Sequence, residues 1–136
     1  MIRGAFLAGG IVATGGLALH CYTMEHWIYP KLKVEGFPST PFGDALQMLK
    51  AYRMLWHFFT INIVGTAIMD YLFYFTDWYS DPQRIVLARG FALEWFAQIL
   101  VCFWIAQFSP RQLIKAFQWV ILLAIGGLTW IGTMGS

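Results

Sequence analysis

The residues of this chain with chemistry to offer are few, and most of them sit in apolar surroundings. The stretch GLALHCYTMEHW, Gly16 to Trp27, carries His20, Glu25 and His26. A second stretch, RMLWH, sets Arg53 and His57 one helical turn apart. Further along lie Asn62, Asp70, Glu94 and Gln98. Two imidazoles on neighbouring helices could ligate a haem between them, as bis-histidine sites do. The same donors, with Glu25, are of types that hold transition metals, but no close-spaced motif such as HxxxH or ExxH accompanies them. Acids and histidines at membrane depth also mark proton or ion paths when they form a chain. Cys102 has no histidine at its expected depth, so no nucleophilic set is apparent and a non-enzymatic role is expected.

What must position these groups follows from composition. Hydrophobic residues make up 59% of the 136 and charged ones 12%, against about 25% charged in soluble domains. Residues 4–24 carry no charge, 54–76 only Asp70, 90–110 only Glu94, and 116–136 none. Each run meets the roughly 20 apolar residues that a helix needs to cross a bilayer. The runs are continuous, not alternating, which favours helices over the strands of a membrane β-barrel. The expectation is an all-α integral membrane protein: one domain over residues 1–136, a four-helix transmembrane bundle with spans near 4–28, 53–75, 86–108 and 113–133. Short turns at TDWYSDPQR and SPRQ predict antiparallel neighbours among helices two to four. The first apolar run is too long for the core of a signal peptide and is read as helix one.

Pro30, Pro38 and Pro41 break the longest loop. After it, STPFGDALQ predicts a helix start near 41, with Ser39 or Thr40 as cap and Pro41 in the first turn. Gly4 with Ala8 and Gly9 with Ala13 are small-xxx-small pairs, a packing face for another helix. Cys21 and Cys102 belong to different depths, so no disulfide joins them. Lys31, Lys33, Lys50, Arg53, Arg111 and Lys115 gather around the first and third loops, while Arg3, Arg84 and Arg89 fall on the other side. The positive-inside rule then predicts both termini outside. Tyr and Trp flank the helix ends, where such rings anchor at headgroup level.

Two polar layers result. At 1.5 Å per residue His20 lies about 12 Å inside the cytoplasmic end of helix one, with His57 entering from the same side. At 100° per residue His20 stands about 140° from Glu25 and about 120° from His26, so the three cannot converge. His20 shares a face with Met24 and Trp27. The expected inward pair is His20 with His57, with Arg53 beside them and Glu25 pairing with Arg53, Lys50 or Lys31. The outer layer is Asp70 in the last turns of helix two and Glu94 in the first turns of helix three, close enough to share a proton. Gln98 continues the Glu94 stripe along helix three, and Asn62 and Thr66 lie between the layers.

The expected function is that of an accessory subunit of a larger inner-membrane complex, holding a lipid, quinone or pigment beside His20 and His57. The alternatives are a haem-binding redox protein on those histidines and a proton-conducting bundle through Asp70 and Glu94. Expected partners are membrane lipids and other membrane subunits, or further copies of this chain. A net charge of +2 without a basic run excludes nucleic acid. The expected location is a bacterial inner membrane or its organelle equivalent.

Overall fold

The computed structural model describes residues 3–41, 43–115 and 118–135, and among them helices with no strand account for the fold. Five helices follow in order: α1 (Arg3–Tyr22), α2 (Ala45–Phe75), α3 (Pro82–Ile105), α4 (Pro110–Lys115) and α5 (Gln118–Gly132). Three spans are long and apolar enough to cross a membrane: Arg3–Lys31, Ala45–Phe75 and Pro82–Ile105. They mark an integral membrane protein. The fourth expected span, 113–133, is met by α4 and α5 with residues 116 and 117 outside the described set; α5 is apolar but has only 15 residues.

Helix boundaries correct the expectations at three places. The cap of α2 is Asp44, not Ser39 or Thr40, and the helix begins at Ala45, not near 41. The Asp44 side chain accepts from the Gln47 N–H, and the Gln47 side chain accepts from the Asp44 N–H, a reciprocal capping box. Thr40 and Gly43 exchange backbone hydrogen bonds across a tight turn instead, which uses up the supposed first turn. Likewise α3 starts at Pro82 rather than 86, with the Asp81 carboxylate accepting from the Gln83 N–H and proline at the first position, where its missing N–H costs nothing. Its end comes at Ile105, three residues early. Gln107 and Phe108 take positive φ, and their N–H groups close back on Trp104 and Phe103 in a Schellman-type stop built without glycine.

The end of α1 departs from regular geometry. Over Thr23–Ile28 the chain widens into a π-helix, then tightens to a 3₁₀ turn over Tyr29–Lys31. Pro30 explains the change: it has no N–H to donate and its ring crowds the carbonyl four residues back, so an α-helix cannot run through it. The wider turn also alters helical phase. Met24 is fully buried while Trp27 is exposed, although ideal spacing places both on the face of His20.

The bundle closes in a spatial order that differs from chain order. α1 packs along both α2 and α5, and α3 packs along α5, whereas α2 and α3 approach only loosely. All neighbours run antiparallel. Small residues set the close seams: a Cβ on Gly9 would fall 2.5 Å from Asp70 Oδ2, on Gly126 2.9 Å from Trp95 Cβ, and on Gly132 2.7 Å from the Phe6 ring. Gly9 and Ala13 are buried as the small-residue pairing predicts, but Gly4 has nothing within 4 Å. Large side chains bridge the loose seam. Trp95, with no exposed surface, reaches from α3 to donate to Thr66 Oγ1 at 3.0 Å and meets Phe59 edge-on at 5.7 Å.

Two arginines tie the far end together. Arg3 donates to the carbonyls of Tyr74 and Thr76 at the close of α2, at 2.7 and 2.9 Å. Arg89 donates to Thr133 Oγ1 and to the Thr133 carbonyl just past α5. Each cation meets carbonyls left open at a helix C-terminus, where the helix dipole favours positive charge.

Candidate functional site

Three separate polar groupings come from the candidate residues, each on a different seam. The first lies where the π-helix faces the early turns of α2. Arg53 Nη2 donates to Glu25 Oε2 at 2.8 Å, and its guanidinium stacks over the Tyr29 ring at 4.2 Å. Glu25 Oε1 is buried, with His57 Nε2 at 3.7 Å, beyond hydrogen-bond range. Of the three expected cations, Arg53 is therefore the one that meets Glu25. The π-helix makes this possible, because its slower rotation turns Glu25 toward α2.

His20 and His57 have different partners. The His20 ring stacks on Trp56 at 4.4 Å and tilts against Phe59 at 5.0 Å, with Nε2 at 3.4 Å from the Trp56 carbonyl. The His57 ring borders Glu25. A flat macrocycle needs both imidazole nitrogens free and opposed across a gap. Here one imidazole lies face to face with an indole and the other borders a carboxylate, so these residues do not fit an axial pair. His26 is exposed and tilts against Tyr22 at 4.8 Å. No group of three or more metal-binding side chains occurs among the described residues.

The second grouping is fully internal. Asp70 has no exposed surface and lies among α1, α2 and α5. The Thr129 hydroxyl donates toward both its oxygens, at 3.1 and 3.0 Å, and Gly9 leaves the space that the carboxyl fills. Thr129 was invisible as a partner in the sequence. Its signal was weak: a lone hydroxyl one turn from the end of an apolar run.

The third grouping corrects the place of Glu94. Because α3 begins at Pro82, Glu94 stands near its middle, about 18 Å from the start and about 16 Å from the end. Asp70 lies only about 8 Å from the end of α2. The two acids thus differ in depth by about 10 Å and occupy different seams, so they do not share a proton. Glu94 instead joins the Asn62 and Gln98 amides. Asn62 Nδ2 donates to Glu94 Oε1 at 2.6 Å, and Gln98 Nε2 to the same oxygen at 3.3 Å. Glu94 is exposed, at the loose seam between α2 and α3. Gln98 Oε1 is buried and has no donor among the described residues.

This third arrangement has the most unusual physics. In a bilayer whose core is about 30 Å thick, an exposed group midway along a spanning helix meets hydrocarbon. A carboxylate there costs about 2.5–3.5 kcal/mol even on insertion-based scales. The neighbouring amides reduce that cost at one oxygen only. The exposed surface of α2 and α3 is strongly apolar, with Leu55, Phe58, Ile61, Leu93, Leu100 and Val101 all exposed. No family model, curated protein or solved structure matches this chain.

Proposed function

We infer that this protein is a non-catalytic accessory subunit that assembles, through its membrane spans, into a larger complex of a bacterial cytoplasmic membrane or its organelle equivalent. The observation that carries this reading is Glu94, an exposed carboxyl group at mid-span beside two amides. A polypeptide that worked alone in lipid would hold such a group inside its bundle, as Asp70 is held. A further feature supports the reading. The outer-side arginines are all engaged in holding the fold: Arg3 and Arg89 bind helix ends, and Arg84 meets Asp81 at 3.1 Å and lies over Trp78 at 4.8 Å. By the distribution of Lys and Arg, both termini face outward.

Native mass spectrometry of the tagged protein, drawn from the membranes of its source cells in a mild detergent, tests the reading. Stoichiometric heavier subunits are expected. A bare monomer or homo-oligomer overturns it, and any small added mass then reports a bound lipid, quinone or pigment.

A further inference from the structure

We propose that the seam between α2 and α3 is the seat of a transmembrane helix of another protein that carries a lysine or arginine at mid-depth, opposite Glu94. This rests on the accessory-subunit reading and adds the chemistry of the partner. Three observations identify that chemistry.

First, what the site lacks is hydrogen-bond donation. Both amide donors converge on Glu94 Oε1, and no described residue donates to Oε2. Gln98 Oε1 beside it also has no donor among the described residues, but it is buried within the chain and is not itself offered to a partner. A cation supplies donors and charge together, and pairing offsets the cost of burying both ions in hydrocarbon.

Second, the surface is shaped to admit a helix. Along α3, Gly90 and Ala97 lie one turn to either side of Glu94, and both are exposed. A Cβ on Gly90 would meet nothing within 4 Å. Small residues at that spacing let a second backbone come near enough for a side chain to reach the carboxylate. On α2, Leu55 and Phe58 extend the stripe that includes Asn62 and offer apolar surface beside it.

Third, the nearer alternatives lack the required group. The described spans carry their cations toward the ends: Arg3, Lys31, Lys50, Arg53, Arg84 and Arg89. A second copy related by a two-fold axis would bring carboxylate to carboxylate. A lipid headgroup stays at the interface, about 16 Å or more from Glu94.

The test uses a leucine-rich transmembrane peptide of about 20 residues with one central lysine, and the same peptide with leucine in that place. Energy transfer from each labelled peptide to the labelled full-length protein is measured in neutral phosphatidylcholine vesicles. The lysine peptide is expected to associate about tenfold more tightly, the ~1.4 kcal/mol within reach of one polar contact between membrane helices. Glu94→Gln should erase that preference. Ala97→Leu, which keeps the carboxylate but blocks the approach, should weaken the lysine peptide as well. Equal binding of the two peptides, or a preference that survives Glu94→Gln, overturns the proposal. So does energy transfer between copies of the protein alone that Glu94→Gln abolishes, since a second copy is then the occupant. In native membranes the two claims separate. Partners retained equally by wild type and Glu94→Gln refute this seat and leave the accessory reading standing; a wild type with no partner refutes the accessory reading itself.

Discussion

Two adjacent glycines in α5 isolate how closely α3 and α5 pack. Gly126 and Gly127 are adjacent in the interior of one helix, so replacing either with alanine changes helix propensity by about the same amount, up to ~1 kcal/mol in favour of the variant. Their surroundings differ sharply. A Cβ at 126 would stand 2.9 Å from Trp95 Cβ and 3.3 Å from both the Ala92 carbonyl oxygen and the Phe96 ring, whereas a Cβ at 127 meets nothing within 4 Å. Trp95 cannot yield easily, since it is fully buried and its indole N–H is committed to Thr66. Overpacking of this kind costs about 1–3 kcal/mol. Because the propensity change is common to both variants, Gly126→Ala should be less stable than Gly127→Ala by about 1–3 kcal/mol, or roughly five- to 150-fold in the ratio of folded to unfolded protein. The assay is reversible unfolding by dodecyl sulfate in mixed micelles, followed by far-ultraviolet circular dichroism. Coincident transitions for the two variants, or a lower midpoint for Gly127→Ala, would refute the close approach of α3 and α5 through Gly126.

The same assay checks the other contacts. Thr129→Val removes the hydroxyl donor from Asp70 without changing its shape much, and should cost about 0.6–1.7 kcal/mol, the range found for polar contacts between membrane helices; a variant as stable as wild type would show that Thr129 does not hold the acid. Trp95→Phe should destabilise by more than about 1 kcal/mol, through loss of the bond to Thr66 and the cavity left in the core, and adding Thr66→Val should cost less than it does alone, because the two residues share one interaction. Glu25 and Arg53 are each partly exposed, so a double-mutant cycle on Glu25→Gln and Arg53→Gln should return a coupling of about 1 kcal/mol or less; a value several times larger would mean that the pair is sealed from water.

Composition and run length were sufficient to read the class of the protein and the approximate place of its helices, because hydrocarbon tolerates so few charges per span. The spatial order was not legible. Short turns predict that chain neighbours pack, yet α2 and α3 stand apart because bulky Trp95 and Phe59 occupy the seam, while Gly9, Gly126 and Gly132 draw other pairs together. Helix starts were legible in principle. The Asp44 to Gln47 spacing is a capping signature, and the proline-rich run before it obscured it. Glu25 meets Arg53, one of its three expected cations, whereas the stacking of the His20 ring on Trp56 had no signal in the helical phase of α1. The misplacement of Glu94 came from a late start for α3. Four residues, about 6 Å, are enough to move a carboxylate from the outer part of a span to its middle.

If the protein is built to be completed by a partner, Glu94 is open to hydrocarbon in the isolated chain and covered in its own membrane. Modification by a membrane-soluble carbodiimide, located by peptide mass mapping, measures both states with one reagent. Glu94 of the purified protein in lipid vesicles should react, while Asp70, enclosed by Gly9 and Thr129, should not. In intact source membranes Glu94 should be protected. Equal reaction of Glu94 in vesicles and in the native membrane, or no reaction in either, would rule out a covered carboxylate at this seam.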